Sequence, residues 1–251
     1  MSGALPTAAT RRRLYLMRHG EVSYFAEDGR PHRPDLVPLT AAGREQARAA
    51  GRLLAGLRFD RAITSGLPRA VETAELVLAE SAPASAPAPA LEAWPDLVEL
   101  RPGRLAEIPE AELDMAFLGV FDGGEAALDR PWLGGETVRS LLDRVGAALA
   151  RLLDDLPGPG GTVLAVLHGG VNRAVLSHAL TGGAVFLGGL EQLPACLNIL
   201  DVADLGPAAR PRWVWTVRAV NVAPTDPAQR AAGRATTMES LLAEYRRLRR
   251  P

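Results

Sequence analysis

A single cysteine, Cys196, in 251 residues excludes an internal disulfide and suits a reducing compartment. No apolar run approaches the ~20 residues that a membrane helix needs. The opening stretch MSGALPTAATRRR has no apolar core between its methionine and its arginines, so it does not read as a secretory signal. Neither sign of charge dominates: 28 Lys and Arg face 29 Asp and Glu, for a formal net charge of −1. That balance argues against nucleic acid or an acidic membrane as the main partner. The composition points to a soluble, cytoplasmic protein, and it says nothing of oligomeric state.

What is present alternates. RRRLYLM is strand-like, and LTAAGREQARAAGRLLAGL is helix-like with Thr40 placed to cap it. FDRAIT makes a second short strand, and PRAVETAELVLAE a helix with Pro68 in its first turn. The tract SAPASAPAPA suits an extended surface connection, after which ALEAWPDLVEL has room for a short strand. In TVRSLLDRVGAALARLLDDL, residues Val138, Leu141, Leu142, Val145, Leu149, Leu152 and Leu153 follow helical spacing. TVLAVL reads as a strand buried on both faces, and VNRAVLSHAL returns to helix. CLNILDV and RWVWTVRAVNV are expected to pair antiparallel, and a Thr-x-x-Glu capping box at Thr236 opens a C-terminal helix of about 236–250.

This order predicts an α/β fold, a three-layer α/β/α sandwich around a mostly parallel sheet, in one domain over 1–251. The segment Arg101 to Gly135 fits the alternation badly and reads as an insertion. Its Arg104, Phe117, Phe121, Arg130 and Trp132 suit either a lid or a small satellite core.

Ligands of open α/β sheets bind beyond the carboxyl ends of the strands. LYLM ends in Arg18-His19-Gly20 and VLAVL in His168-Gly169-Gly170, so two strands deliver a histidine and a glycine each to one rim. Glycine lets backbone N–H groups approach a ligand closely, and the helix after Gly170 adds the positive end of its dipole. Arg69, near the start of another helix, brings a second guanidinium. Guanidinium groups match phosphate oxygens bidentately, so the rim reads as a phosphate site.

The motifs LMRHGEV, PLTAAGREQA, TSGLPRAVETA, an acidic residue after a mid-chain strand, and VLHGG stand in the order that resembles the histidine phosphatase superfamily, in its phosphoglycerate mutase-like branch. The resemblance runs from about Leu14 to Leu180. It implies a metal-independent phosphomonoester hydrolase that acts on a small phosphorylated metabolite through a phosphohistidine, with no cofactor. His19 would be the nucleophile; Arg18, Arg69, His168 and the Gly169 backbone would hold the phosphate; Glu99 would protonate the leaving oxygen. Glu92, Asp96 and Glu107 stand close enough in sequence to compete with Glu99 for that role. A mutase and a catalytically silent phospho-ligand or partner binder are the alternatives.

Other residues read as structural. His178 falls mid-helix and His32 in a polar loop, Glu72 and Glu75 on a solvent-facing helix, and Ser65 in a turn with no base spaced for it. The C-terminal arginines form a solvated face. Phe25 stands where the family often carries a polar residue that touches phosphate, and Ser23 or a loop N–H would have to substitute.

Overall fold

Successive side chains of a strand leave opposite faces of its sheet, and here the central strands are apolar on both. The computed structural model describes residues 10–26, 30, 32–83, 87–122, 124–206, 213–225 and 235–249. In chain order its elements are β1 (Arg12–Arg18), α1 (Ala41–Leu53), β2 (Arg61–Thr64), α2 (Pro68–Ser81), β3 (Leu91–Ala93), α3 (Leu113–Leu118), α4 (Glu125–Leu128), α5 (Val138–Asp154), β4 (Thr162–Leu167), α6 (Gly169–Thr181), β5 (Leu197–Asp204), β6 (Trp213–Val222) and α7 (Thr237–Arg249). Three expectations lie outside the described residues: the opening nine residues, the middle of the proline-alanine tract and the tip between β5 and β6.

Leu14 and Leu16 of β1 enter one core with Val163, Ala165 and Leu167 of β4. Tyr15 and Met17 enter the other with Leu164 and Val166. A sheet apolar on both faces needs cover on both. Ala47 and Ala50 of α1 and Ala74 and Val77 of α2 close the Tyr15 face. Val145 and Leu149 of α5 and Val171 and Val175 of α6 close the Leu16 face. The strand order is β3-β2-β4-β1-β5-β6; β1 to β4 run parallel, β5 runs against β1 and β6 against β5, so the expectation of a mostly parallel sheet holds, with the predicted antiparallel pair at one edge.

Register places the site. Arg18 pairs with Leu167 and Thr64 with Val166, so the residues that follow β1, β2 and β4 leave the sheet side by side. α6 opens at Gly169 with His168 as its N-cap residue, so both glycines lie in its first turn rather than ahead of the helix.

The segment between β3 and α5 serves both readings the sequence allowed. Leu113, Phe117 and Leu133 form a satellite core with Phe25 and with Leu242 and Tyr245 of α7. The same segment also lines the cavity described below. Phe25 stacks on Tyr245 with ring centroids 5.8 Å apart. Arg246 binds Glu110 at 2.9 Å and Asp114 at 2.9 Å, so this C-terminal arginine ties α7 to the segment instead of lying on a free solvated face. The capping box forms as read: Glu239 N–H donates to Thr236 Oγ1 at 3.2 Å and Thr236 N–H to Glu239 Oε2 at 2.6 Å. Among the described residues no helix is long and apolar enough to cross a membrane.

Candidate active site

His19 leaves β1 with its N–H on Leu167 O at 3.0 Å and its carbonyl accepting from Ala195 N–H at 3.1 Å. The turn that follows is clamped by α1 and α2. A Cβ on Gly20 would lie 2.4 Å from Gly43 O, so only glycine fits there. Gly20 N–H donates to Thr73 Oγ1 at 3.1 Å, Glu21 N–H to Gln46 Oε1 at 2.9 Å, and Thr40 N–H to Glu21 O at 3.0 Å. The motifs PLTAAGREQA and PRAVETA therefore act as the mould of the Arg-His-Gly turn. His19 Nδ1 lies 2.7 Å from Gly20 O. A carbonyl can only accept, so Nδ1 carries the proton and Nε2 keeps its lone pair. Arg69 Nε donates to that lone pair at 3.3 Å.

His168 stands across from it, with ring centroids 5.2 Å apart. Its Nε2 lies 2.7 Å from Ser65 Oγ, which also accepts from Leu67 N–H at 3.3 Å. Ser65 thus fixes the plane and position of the His168 ring, whichever of the two donates. Nδ1 is buried without a protein partner, and so is Arg18 Nε. Two buried nitrogens left open at one place, one of them a guanidinium donor, are a demand for an acceptor. Arg18 itself is steadied by a 2.5 Å bond from its NH1 to Gln192 O, and Arg69 by a 2.7 Å bond from its NH1 to Pro34 O.

Burial pushes both imidazoles well below the ordinary histidine value. For His19 the Arg69 and Arg18 charges add to desolvation; for His168 the next causes are His19, Arg69 and Arg18. Both rings are neutral at pH 7. The unfolded chain takes up protons near pH 6.5, whereas the folded chain refuses them. Stability is therefore complete above about pH 6.5 and falls as pH drops, by up to about 1.4 kcal/mol per pH unit for each histidine. Urea titrations at pH 7.0 and 5.5 should show this loss, and His168→Gln should make it shallower. An undiminished slope in that variant would contradict the buried neutral pair.

Glu99 accepts from Leu100 N–H at 2.8 Å and from Gly170 N–H at 3.1 Å, both on Oε1. A Cβ on Gly170 would lie 2.6 Å from that oxygen, so the first turn of α6 must be bare for the carboxylate to approach. Its competitors are engaged elsewhere. Glu92 holds Arg61 at 2.8 and 2.6 Å, and Asp96 pairs with Arg151. Glu107 pairs with Arg104 on an exposed rim at 3.0 Å. Thus Arg18, His19, Arg69, Glu99, His168 and Gly169 come together.

Several residues depart from the sequence expectation. Ser65 has an imidazole on its hydroxyl after all, brought to it by the carboxyl end of the neighbouring strand β4. His32, read as an ordinary loop residue, lines the cavity half-buried. Ser23 is turned onto its own loop, donating to Phe25 O at 2.6 Å. Glu72 faces Arg44 at 2.5 Å. No sequence motif singles out Arg173, although it stands one helical turn from Gly169 in α6. It is buried, bonded through Nε to Gly188 O at 2.9 Å, and lies 5.0 Å over the Phe121 ring. Arg18, Arg69, Glu99, Gly169 and Arg173 open onto one cavity of about 620 Å³.

A model of the histidine phosphatase superfamily (branch 1) matches residues 14–213. A 2-carboxy-D-arabinitol-1-phosphatase of Triticum aestivum is 29% identical over 257 residues, which covers 95% of this chain and 46% of the wheat protein. The chain thus spans about half the length of that relative. An uncharacterized phosphatase, PhoE, of Bacillus subtilis (strain 168) is 28% identical over 190 residues, covering 75% of this chain and 88% of its own. The solved structure of a mycobacterial glucosyl-3-phosphoglycerate phosphatase superposes with a TM-score of 0.67 at 23% identity, over 85% of this chain and 100% of that one. With its sheet, its motif order and a family match through most of its length, the chain belongs to the histidine phosphatase superfamily, branch 1.

Proposed function

We propose that the protein is a metal-independent phosphomonoester hydrolase that works through a phosphohistidine on His19. The observation that carries this reading is the fixed tautomer: Nδ1–H held on Gly20 O leaves the Nε2 lone pair facing Arg69. A phosphoryl group entering the site replaces Nε2 as the acceptor for Arg69 and takes the open donor of Arg18, and in this reading His168 carries its proton on the open Nδ1 and donates as well. Nε2 then attacks phosphorus in line with the bond to the leaving oxygen. As the N–P bond forms and the P–O bond breaks, Glu99 gives its proton to that oxygen. Water attacks the phosphohistidine from the same side, Glu99 takes the proton back, and phosphate departs with His19 neutral again. Guanidinium charge stabilises the equatorial oxygens throughout. The lone and buried Cys196 supports a cytoplasmic setting.

The test is hydrolysis of p-nitrophenyl phosphate in excess EDTA, with acid-labile, base-stable phosphoenzyme trapped by rapid quenching. Full activity in chelator and label on His19 are expected. Activity lost in EDTA and restored by a divalent cation would overturn the mechanism. Conversion of 3-phosphoglycerate to 2-phosphoglycerate faster than phosphate release would make the enzyme a mutase.

A further inference from the structure

The cavity is far larger than a phosphate group, and its chemistry changes abruptly beyond the arginines. Tyr24, Phe117, Phe121, Trp132, Met238 and Leu241 supply its walls from three separate parts of the chain. Its described lining contains no asparagine, glutamine or serine; outside the phosphate end and two ion pairs at its mouth, its polar groups are Tyr24, His32, Arg101, Thr237 and the open Nε1–H of Trp132. Among the charged groups at its mouth, Arg104 is paired with Glu107, and Asp35 with Arg33 at 2.7 Å. A sugar or polyol phosphate carries a hydroxyl on almost every carbon. In such a pocket those hydroxyls would lose water and find few partners, at a cost of about ten- to a hundredfold in binding for each one buried unpaired.

The roof is built for the opposite kind of ligand. Met238 and Leu241 of α7 line the cavity and also pack against the satellite core, in which Leu242 and Tyr245 of the same helix are buried. That core and the Arg246 ion pairs hold the helix down, and Thr237 N–H on Glu191 Oε1 at 3.3 Å fixes its first turn. α7 lies beyond residues 14–213, so the apolar roof is an addition to the part of the chain that matches the family.

Resting on the phosphatase reading above, we infer that the substrate is the phosphomonoester of a bulky apolar alcohol, whose hydrocarbon body lies between α7 and the 101–135 segment. Primary alkyl phosphates test this, because their leaving groups differ little in basicity while their apolar area grows. From methyl through butyl to hexyl phosphate, kcat/KM should rise about three- to fourfold per methylene. Glucose 6-phosphate should fall at least about a hundredfold below hexyl phosphate. In Met238→Asp and Leu241→Asn the hexyl-to-methyl ratio of kcat/KM should drop about tenfold or more. Because this is a ratio within one preparation, any unfolded fraction cancels. Hexylphosphonate, which cannot be hydrolysed, should bind more tightly than methylphosphonate by calorimetry, and that difference tests the pocket apart from turnover. A flat series, or glucose 6-phosphate as the better substrate, would overturn the inference while leaving the phosphatase reading in place. Failure to cleave any ester, with hexylphosphonate still preferred, would overturn the phosphatase reading and leave the apolar pocket. Equal binding of the two phosphonates would overturn the pocket itself.

Discussion

His19→Ala should lower turnover of any phosphomonoester by on the order of 10⁵-fold or more, the scale seen when an enzyme nucleophile is removed. Without Nε2, water must attack the ester directly, and no base stands ready in line to activate it. Phosphate recognition should survive, since Arg18, Arg69 and His168 are held independently by Gln192, Pro34 and Ser65. Inorganic phosphate should therefore still bind the variant, and free imidazole should restore part of the activity by occupying the vacated space. The fold should pay a modest penalty, because His19 is only 1% exposed and its Nδ1–H bond to Gly20 O would be lost. Calorimetric phosphate binding and single-turnover kinetics on the same sample check both halves. Turnover within tenfold of the parent enzyme would end the assignment of His19 as nucleophile.

The parts legible in the sequence are those that local pattern dictates. Apolar runs ending in His-Gly mark β1 and β4, and the spacing of α5 and the capping box of α7 are properties of neighbouring residues. Parallel pairing then carries the ends of β1, β2 and β4 to one rim, which is why sequence pattern alone brings Arg18, His19, Arg69 and His168 together.

What stayed hidden depends on distant contacts. Ser65 meets His168 across 103 residues, and nothing near Ser65 announces a base. Glu99 separates from Glu92 and Asp96 only once Arg61 and Arg151 have claimed those two carboxylates. The segment 101–135 looked irregular because its order comes from α7, more than a hundred residues further on, through Tyr245 and Arg246. His32 belongs to the cavity for the same kind of reason: its loop is drawn in where Arg69 binds Pro34 O.

Glu99→Gln should produce a defect whose size depends on the leaving group. An alkoxide leaves poorly unless protonated in the transition state, whereas a nitrophenolate departs with little help. General acid catalysis contributes about 10²–10⁴-fold, so phosphorylation by an alkyl ester should slow by about that factor and by p-nitrophenyl phosphate much less. Glutamine keeps the side chain's length and an oxygen for Leu100 and Gly170 N–H, so the geometry around α6 should hold. The second half-reaction loses its base in the same variant. With the activated ester, phosphohistidine should then accumulate, because it forms at nearly the normal rate and water opens it slowly. Rapid-quench measurement of both ester types separates the two steps. Glu92→Gln and Asp96→Asn break surface pairs with Arg61 and Arg151 and should leave the ratio between esters unchanged. Glu107→Gln, on the exposed rim, should leave it unchanged as well. A small and equal loss for both esters at Glu99, joined to a leaving-group-dependent loss at one of these neighbours, would move the acid to that neighbour. It would also leave the two hydrogen bonds on Glu99 Oε1 with only the seating of α6 to explain them.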